Sequence, residues 1–234
     1  MTALVVGSLS PDFGYYTRSF GIATAAHSLG GSIFICLPSA VLMMGLILLF
    51  QKPLLFLMPS RLSGFLQTAL RFPPQSKWRL AVQMCFWTWI GACTHILWDA
   101  FTHRTGWFVE RSSLLQESLV SIGGSPLPTY YILQQISTIL GLAVLVVFLF
   151  RVLSRSPADP WQRKADLMRY TYWITMVIVS ILAVLPFAWN FASQFAGFLR
   201  LRSFIFQIGI LSGSVFASLL VASLIISAAI LRKR

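Results

Sequence analysis

The chain reads as an all-α, polytopic membrane protein, and three observations carry that reading. It is 57% hydrophobic and 10% charged, with a mean hydropathy of +0.77, a balance that a soluble domain with a polar surface does not reach. Five stretches, roughly 30–50, 80–101, 129–150, 170–189 and 204–231, are long enough to cross a hydrocarbon core, which takes about 20 apolar residues. The cations behind the net charge of +12 sit in the loops between these stretches, where they act as topology signals rather than as a nucleic-acid surface. The expectation is one integral membrane domain, 1–234, with membrane lipids as partners and no nucleic acid.

Taken in order, the first 28 or so residues open on a Gly7-Ser8-Leu9-Ser10-Pro11 turn followed by Asp12, whose simplest role is a helix N-cap. His27 and Ser28 precede the first span, and Pro38 within it predicts a kink. Lys52, Arg61, Arg71, Lys77 and Arg79 fill the first loop without an acid, and Trp78 anchors the second span. The second loop balances Arg104 and Arg111 against Glu110 and Glu117, and Tyr130 and Tyr131 open the third span. Arg151, Arg155, Arg163, Lys164 and Arg169 mark the third loop. Tyr170, Tyr172 and Trp173 open the fourth span, Pro186 interrupts it and Trp189 closes it. Only Arg200 and Arg202 lie in the fourth loop, and the tail ends Arg232, Lys233, Arg234. Cationic loops face the cytoplasm, so the first and third loops and the C-terminus are expected there, with the N-terminus outside. The stretches 59–76 and 110–128 are candidates for short interfacial helices. Gly209, Gly213 and Ala217, four apart, form a small-residue face suited to close helix packing or oligomerisation. Cys36, Cys85 and Cys93 have no paired spacing and read as small buried hydrophobes.

Chemistry concentrates in one motif. His95-x-x-x-Asp99-x-x-x-His103 places all three side chains on one stripe of the second helix. An ionisable residue in a membrane span is expensive and marks a functional site by default. The predicted topology brings Asp12 and His27, the one histidine of the chain's three outside this motif, to the same face. His95 and His103 would have backbones about 12 Å apart on a regular helix, too far to share one ion easily. Either the helix ends near Ala100 and the following residues curl back, or Asp99 bridges two metals. Imidazole with carboxylate suits zinc first, then manganese or iron. A serine hydrolase built on Ser28 lacks a Gly-x-Ser-x-Gly elbow.

The order Gly7-Ser8-x-x-Pro11-Asp12, His27-Ser28, Gly91-Ala92-x-x-His95-x-x-x-Asp99-x-x-Thr102-His103-x-x-Gly106-Trp107, then Leu127-Pro128-x-Tyr130 and Leu133-Gln134-x-x-Ser137, resembles the bacterial membrane proteins grouped as domain of unknown function 4184. The resemblance covers residues 7 to about 150; the helical pair in 151–234 agrees in hydropathy alone. It implies kinship with membrane-bound metal-dependent hydrolases and, more distantly, with zinc-dependent phospholipase C and single-strand-specific nucleases. Asp12, His27, His95, Asp99 and His103 are then the expected ligands, with Asp99 the bridge, Asp99 and Asp12 catalytic, and a bacterial inner membrane the location. Family members usually begin with a Met-Pro-Phe-Thr-x-Ser-His segment, whereas this chain starts Met1-Thr2-Ala3-Leu4; the start lies upstream or a histidine ligand is lost. With no histidine after His103, a reduced site is expected. The rivals to a hydrolase are a non-enzymatic membrane protein with a structural His/Asp cluster, and a small transporter with Asp99 and Gln134 facing a cavity.

Overall fold

The computed structural model describes residues 2–71, 76–122, 125–155 and 163–232. Met1, residues 72–75, Lys233 and Arg234 lie outside the described residues, as do the side chains of Arg163 and Lys164. Five helices are long and apolar enough to cross a membrane: Leu29–Leu49, Lys77–Arg111, Thr129–Arg155, Ala165–Ala192 and Gly197–Arg232. The second is continuous only to Thr102, and the fourth is already helical at Arg163.

Local chemistry explains the breaks. Ser28 starts the first span by accepting the Gly31 N–H at 2.9 Å, an ordinary N-cap. The turn Ser32–Cys36 is π-helical and ends two residues before Pro38, whose missing N–H removes one ladder bond. Pro186 is carried inside the continuous helix Arg163–Ala192. The stretch 59–76 does contain a short helix, Ser60–Ala69. In 110–128 the outcome is mixed: helical turns at Trp107–Arg111 and Ser113–Gln116 lead into a two-stranded antiparallel hairpin, β1 (Ser118–Ile122) and β2 (Ser125–Pro128). Its β-branched and proline-rich sequence disfavours helix.

Two contacts fix the order of the spans around the site. Trp98 Nε1 donates to Ser137 Oγ at 3.3 Å, bringing the end of the second span to the start of the third. Tyr131 meets Phe198 edge-on with centroids 6.3 Å apart, bringing the start of the third to the start of the fifth. Away from the site, Asp166 accepts from the backbone N–H of Ser60 at 2.8 Å, from the Ser60 hydroxyl, and from Arg169 at 3.0 Å. A carboxylate of the fourth span thus caps the first-loop helix, since Ser60 is its first residue. Trp173 Nε1 donates to Leu57 C=O at 3.0 Å and adds a second tie.

The N-terminal segment is packed against the spans. Residues Thr2–Leu9 form a helix packed against the middle of the second span. Val6 shares a buried cluster with Ala40 and Met44 of the first span. Tyr16 lies over Gly213, midway along the fifth span, and its carbonyl accepts from Ser214 Oγ at 2.6 Å. Loop-charge counting carries no signal for this packing, because no Lys or Arg occurs before Arg18. The fit depends on glycine: a Cβ on Gly7 would stand 2.1 Å from Thr88 O, and one on Gly91 2.2 Å from Leu4 O. Gly213 is thus occupied within the chain by Tyr16, while Gly209 of the same face is open.

Gly7→Val should force the N-terminal helix off the second span and cost about 1–3 kcal/mol, as overpacked cores do. Gly209→Val, with nothing within 4 Å of the added Cβ, should be close to neutral. Thermal unfolding in detergent, with Gly7→Val melting no lower than Gly209→Val, would refute the packing argument.

Candidate metal centre

Three separate elements deliver the cluster. Asp12 ends a 3-10 turn, Ser10–Asp12, that begins at the helix-breaking pair Ser10-Pro11. Its carboxylate makes no cap hydrogen bond to the helix Phe13–Tyr16 that follows, so the N-cap role is not realised. His27 terminates the short helix Phe20–Ala26. His95 and Asp99 come from successive turns of the second span.

The ligand-capable atoms of Asp12, His27 and His95 all lie within 4.8 Å of one another. Asp99 Oδ2 sits 3.1 Å from His27 Nε2 and 3.3 Å from His95 Nε2. Asp12 offers Oδ1 to His27 Nε2 at 3.4 Å and Oδ2 to His95 Nε2 at 3.7 Å. The imidazole rings of His27 and His95 meet edge to face, centroids 5.5 Å apart. Asp99 is well enclosed at 16% side-chain exposure, whereas Asp12 is 38% exposed, so the site has a closed floor and an accessible side.

His27 is oriented from behind. Its Nδ1 lies 2.7 Å from Ala23 C=O, which can only accept, so Nδ1 carries the proton and Nε2 is the atom aimed at the carboxylates. Metal-binding histidines are held in this way, through the ring nitrogen that does not bind the ion. Burial alone would push the His27 pKa down, but its hydrogen bonds to the Asp12 and Asp99 carboxylates outweigh that and raise it to about 10.

The second helix ends at Thr102, two residues beyond Ala100. His103 is extended at φ −113°, its N–H bonded to Asp99 C=O at 2.9 Å, and the chain then doubles back so that Gly106 lies against the Ala100 and Asp99 carbonyls. The His103 ring does not join the compact set. Its Nδ1 is 3.3 Å from the other oxygen of Asp99, Oδ1, and its Nε2 is 3.1 Å from Gln134 Nε2 on the third span. Asp99 therefore faces His27 and His95 with one oxygen and His103 with the other.

Sequence reasoning passed over Tyr15, whose ring is 6.1 Å from that of His27. Its phenol pKa is raised by burial and by the charges of Asp12 and Asp99, so it stays a hydrogen-bond donor at neutral pH. Its position three residues after Asp12, on the same helical face, was the available signal. Ser28 is engaged as a cap and donates to Ala25 C=O at 2.8 Å, an arrangement unsuited to a nucleophile paired with His27.

A family model described as domain of unknown function (DUF4184) matches residues 1–228. The chain belongs to that family. Membership extends through the C-terminal helical pair, which sequence reading matched by hydropathy alone. No curated protein and no solved structure matches the chain.

The raised His27 pKa has a definite sign in metal-free protein. The protonated ring stabilises the fold fully below its unfolded pKa of about 6.5, and that contribution is lost as pH rises through about 10. In chelator, the melting temperature should fall between pH 7 and 10, and His27→Gln should flatten that slope. Equal slopes in the two proteins would contradict the assignment.

Proposed function

We propose that this membrane protein is a metal-dependent hydrolase, with Asp12, His27, His95 and Asp99 holding a divalent ion and His103 flanking it through Asp99. The observation that supports this most is the convergence of two imidazole Nε2 atoms and a carboxylate from three elements within 4.8 Å, with Asp99 against both rings. Two nitrogens with carboxylate oxygens suit zinc, then manganese or iron. Such an ion would supply Lewis-acid polarisation of a phosphoryl or acyl oxygen and acidify a water.

The chain's own groups account for the rest. Ala23 C=O fixes His27 so that Nε2 is presented. Asp99 gives each ring a partner and, by its second oxygen, holds His103 at the rim. Asp12, the more open carboxylate, is placed to accept a proton from water or to bind the ion. Tyr15 O–H is a donor beside them. The site opens near one end of the spans, which favours a lipid or lipid-linked phosphoester as substrate. Charge counting favours the extracytoplasmic side for that end, with the C-terminus cytoplasmic, and the family resemblance favours a bacterial inner membrane as the location.

A structural reading has one observation in its favour: His27 with Asp99 and Asp12 with His95 pair directly and clasp the N-terminal segment to the second span. Metal analysis separates the two. Detergent-purified protein should carry one or two equivalents of zinc or manganese, lost in a His95→Ala, Asp99→Asn double variant. Phosphoesterase activity should fall by about two orders of magnitude or more in Asp99→Asn and be unchanged in Ser28→Ala. Protein that takes up no metal even after reloading would exclude the hydrolase, leaving the clasp, for which Asp99→Asn must lower the melting temperature.

A further inference from the structure

A cavity of about 350 Å³ lies between the third and fifth spans, under the hairpin. The third span contributes Ile132, Ile136 and Ile139, one helical stripe. Phe198, Leu201 and Ile205 form the facing stripe on the fifth. These are the spacings of a helix-packing seam, yet Ile136 remains 49% exposed and Ile205 60%, so the seam is ajar toward the surrounding bilayer. β1 and β2 cover its top through Ile122 and Leu127.

The mouth is chemically distinct from the rest. Arg202 lies with its guanidinium carbon 4.7 Å from the centre of the Tyr131 ring, and Gln135 lines the same wall. Among the described residues no carboxylate pairs with Arg202. Its neighbour Arg200, by contrast, donates to Phe195 C=O at 2.9 Å. A larger groove of about 650 Å³ between the fourth and fifth spans has no charged side chain in its lining and offers no means of choosing a headgroup.

We propose that the seam between the third and fifth spans is a binding site for an anionic phospholipid, one acyl chain lying along the two apolar stripes and the headgroup phosphate on Arg202. The volume falls in the range of small-ligand sites. An aromatic-stacked guanidinium at the end of a span is well suited to a phosphate, since the stack fixes the plane of the donor fork. The opposite charge of the lipid supplies what the protein does not. The site lies at the same end of the bundle as Asp99 and His103, because Gln134, which contacts His103, and Gln135, which lines the seam, are consecutive on the third span. The inference does not depend on the metal chemistry.

The test is native mass spectrometry of detergent-purified protein titrated with phosphatidylglycerol or with phosphatidylcholine of matched chains. Wild type should retain phosphatidylglycerol about fivefold more strongly, the effect of one well-placed cation. Arg202→Gln should bring the two lipids to parity, Arg202→Lys should recover most of the preference, and Ile136→Trp should weaken both by filling the seam. Arg200→Gln should leave the preference intact. Equal retention by wild type, a preference that survives Arg202→Gln, or one lost equally in Arg200→Gln would overturn the proposal, the last by showing that only general surface charge is read. An unaltered Arg202→Gln melting temperature in phosphatidylcholine establishes that loss of preference is not loss of fold.

Discussion

A carboxylate inside a membrane helix must be satisfied, and Asp99 is satisfied from three directions at once. Its Oδ2 meets His27 and His95, and its Oδ1 meets His103. Each partner belongs to a different part of the chain's path, so the electrostatic requirement of one side chain specifies where the N-terminal segment and the turn after the second span must lie. An unpaired charge at that depth would be far costlier than the bonds are individually favourable. The polar cluster is therefore both a constraint on folding and a set of preorganised ligand atoms.

That constraint can be met only because backbones approach closely. Gly7 and Gly91 leave no room for a Cβ between the N-terminal helix and the second span, and van der Waals contact of this kind replaces the hydrophobic driving force that is absent within lipid. Five residues beyond Gly7, the chain has turned at Pro11 and presents Asp12. Tyr16 then anchors the same segment on Gly213 and Ser214 of the fifth span. The small-residue face of that span thus serves the site indirectly, by seating the strip of chain that carries Asp12 and leads to His27.

The two ends of the bundle are built differently. At the far end, Asp166, Ser60 and Arg169 form a compact polar tie between the first-loop helix and the fourth span, and every group in it has a partner. At the site end, carboxylates and imidazoles face one another around accessible space, and Arg202 stands over an aromatic ring without an acid. The first is a closed hydrogen-bonded tie, whereas the second leaves ligand-capable atoms facing accessible space.

The sequence by itself determined the five spans, because length and hydropathy suffice for a helix that must satisfy its own backbone in lipid, and it singled out Asp12, His27, His95, Asp99 and His103 by residue type and spacing. The ends of the spans were less legible: the helices Thr129–Arg155 and Gly197–Arg232 overrun their apolar stretches, since a helix continues into water as long as nothing breaks it. Only the tertiary structure decided that residues 2–9 form a helix packed on the second span, that Asp99 divides its two oxygens between His27 with His95 and His103, that Tyr15 joins the site, and that Tyr16 takes Gly213. These are outcomes of packing between segments far apart in the chain, and periodicity or loop charge, which report only on a residue's own helix, hold no record of them.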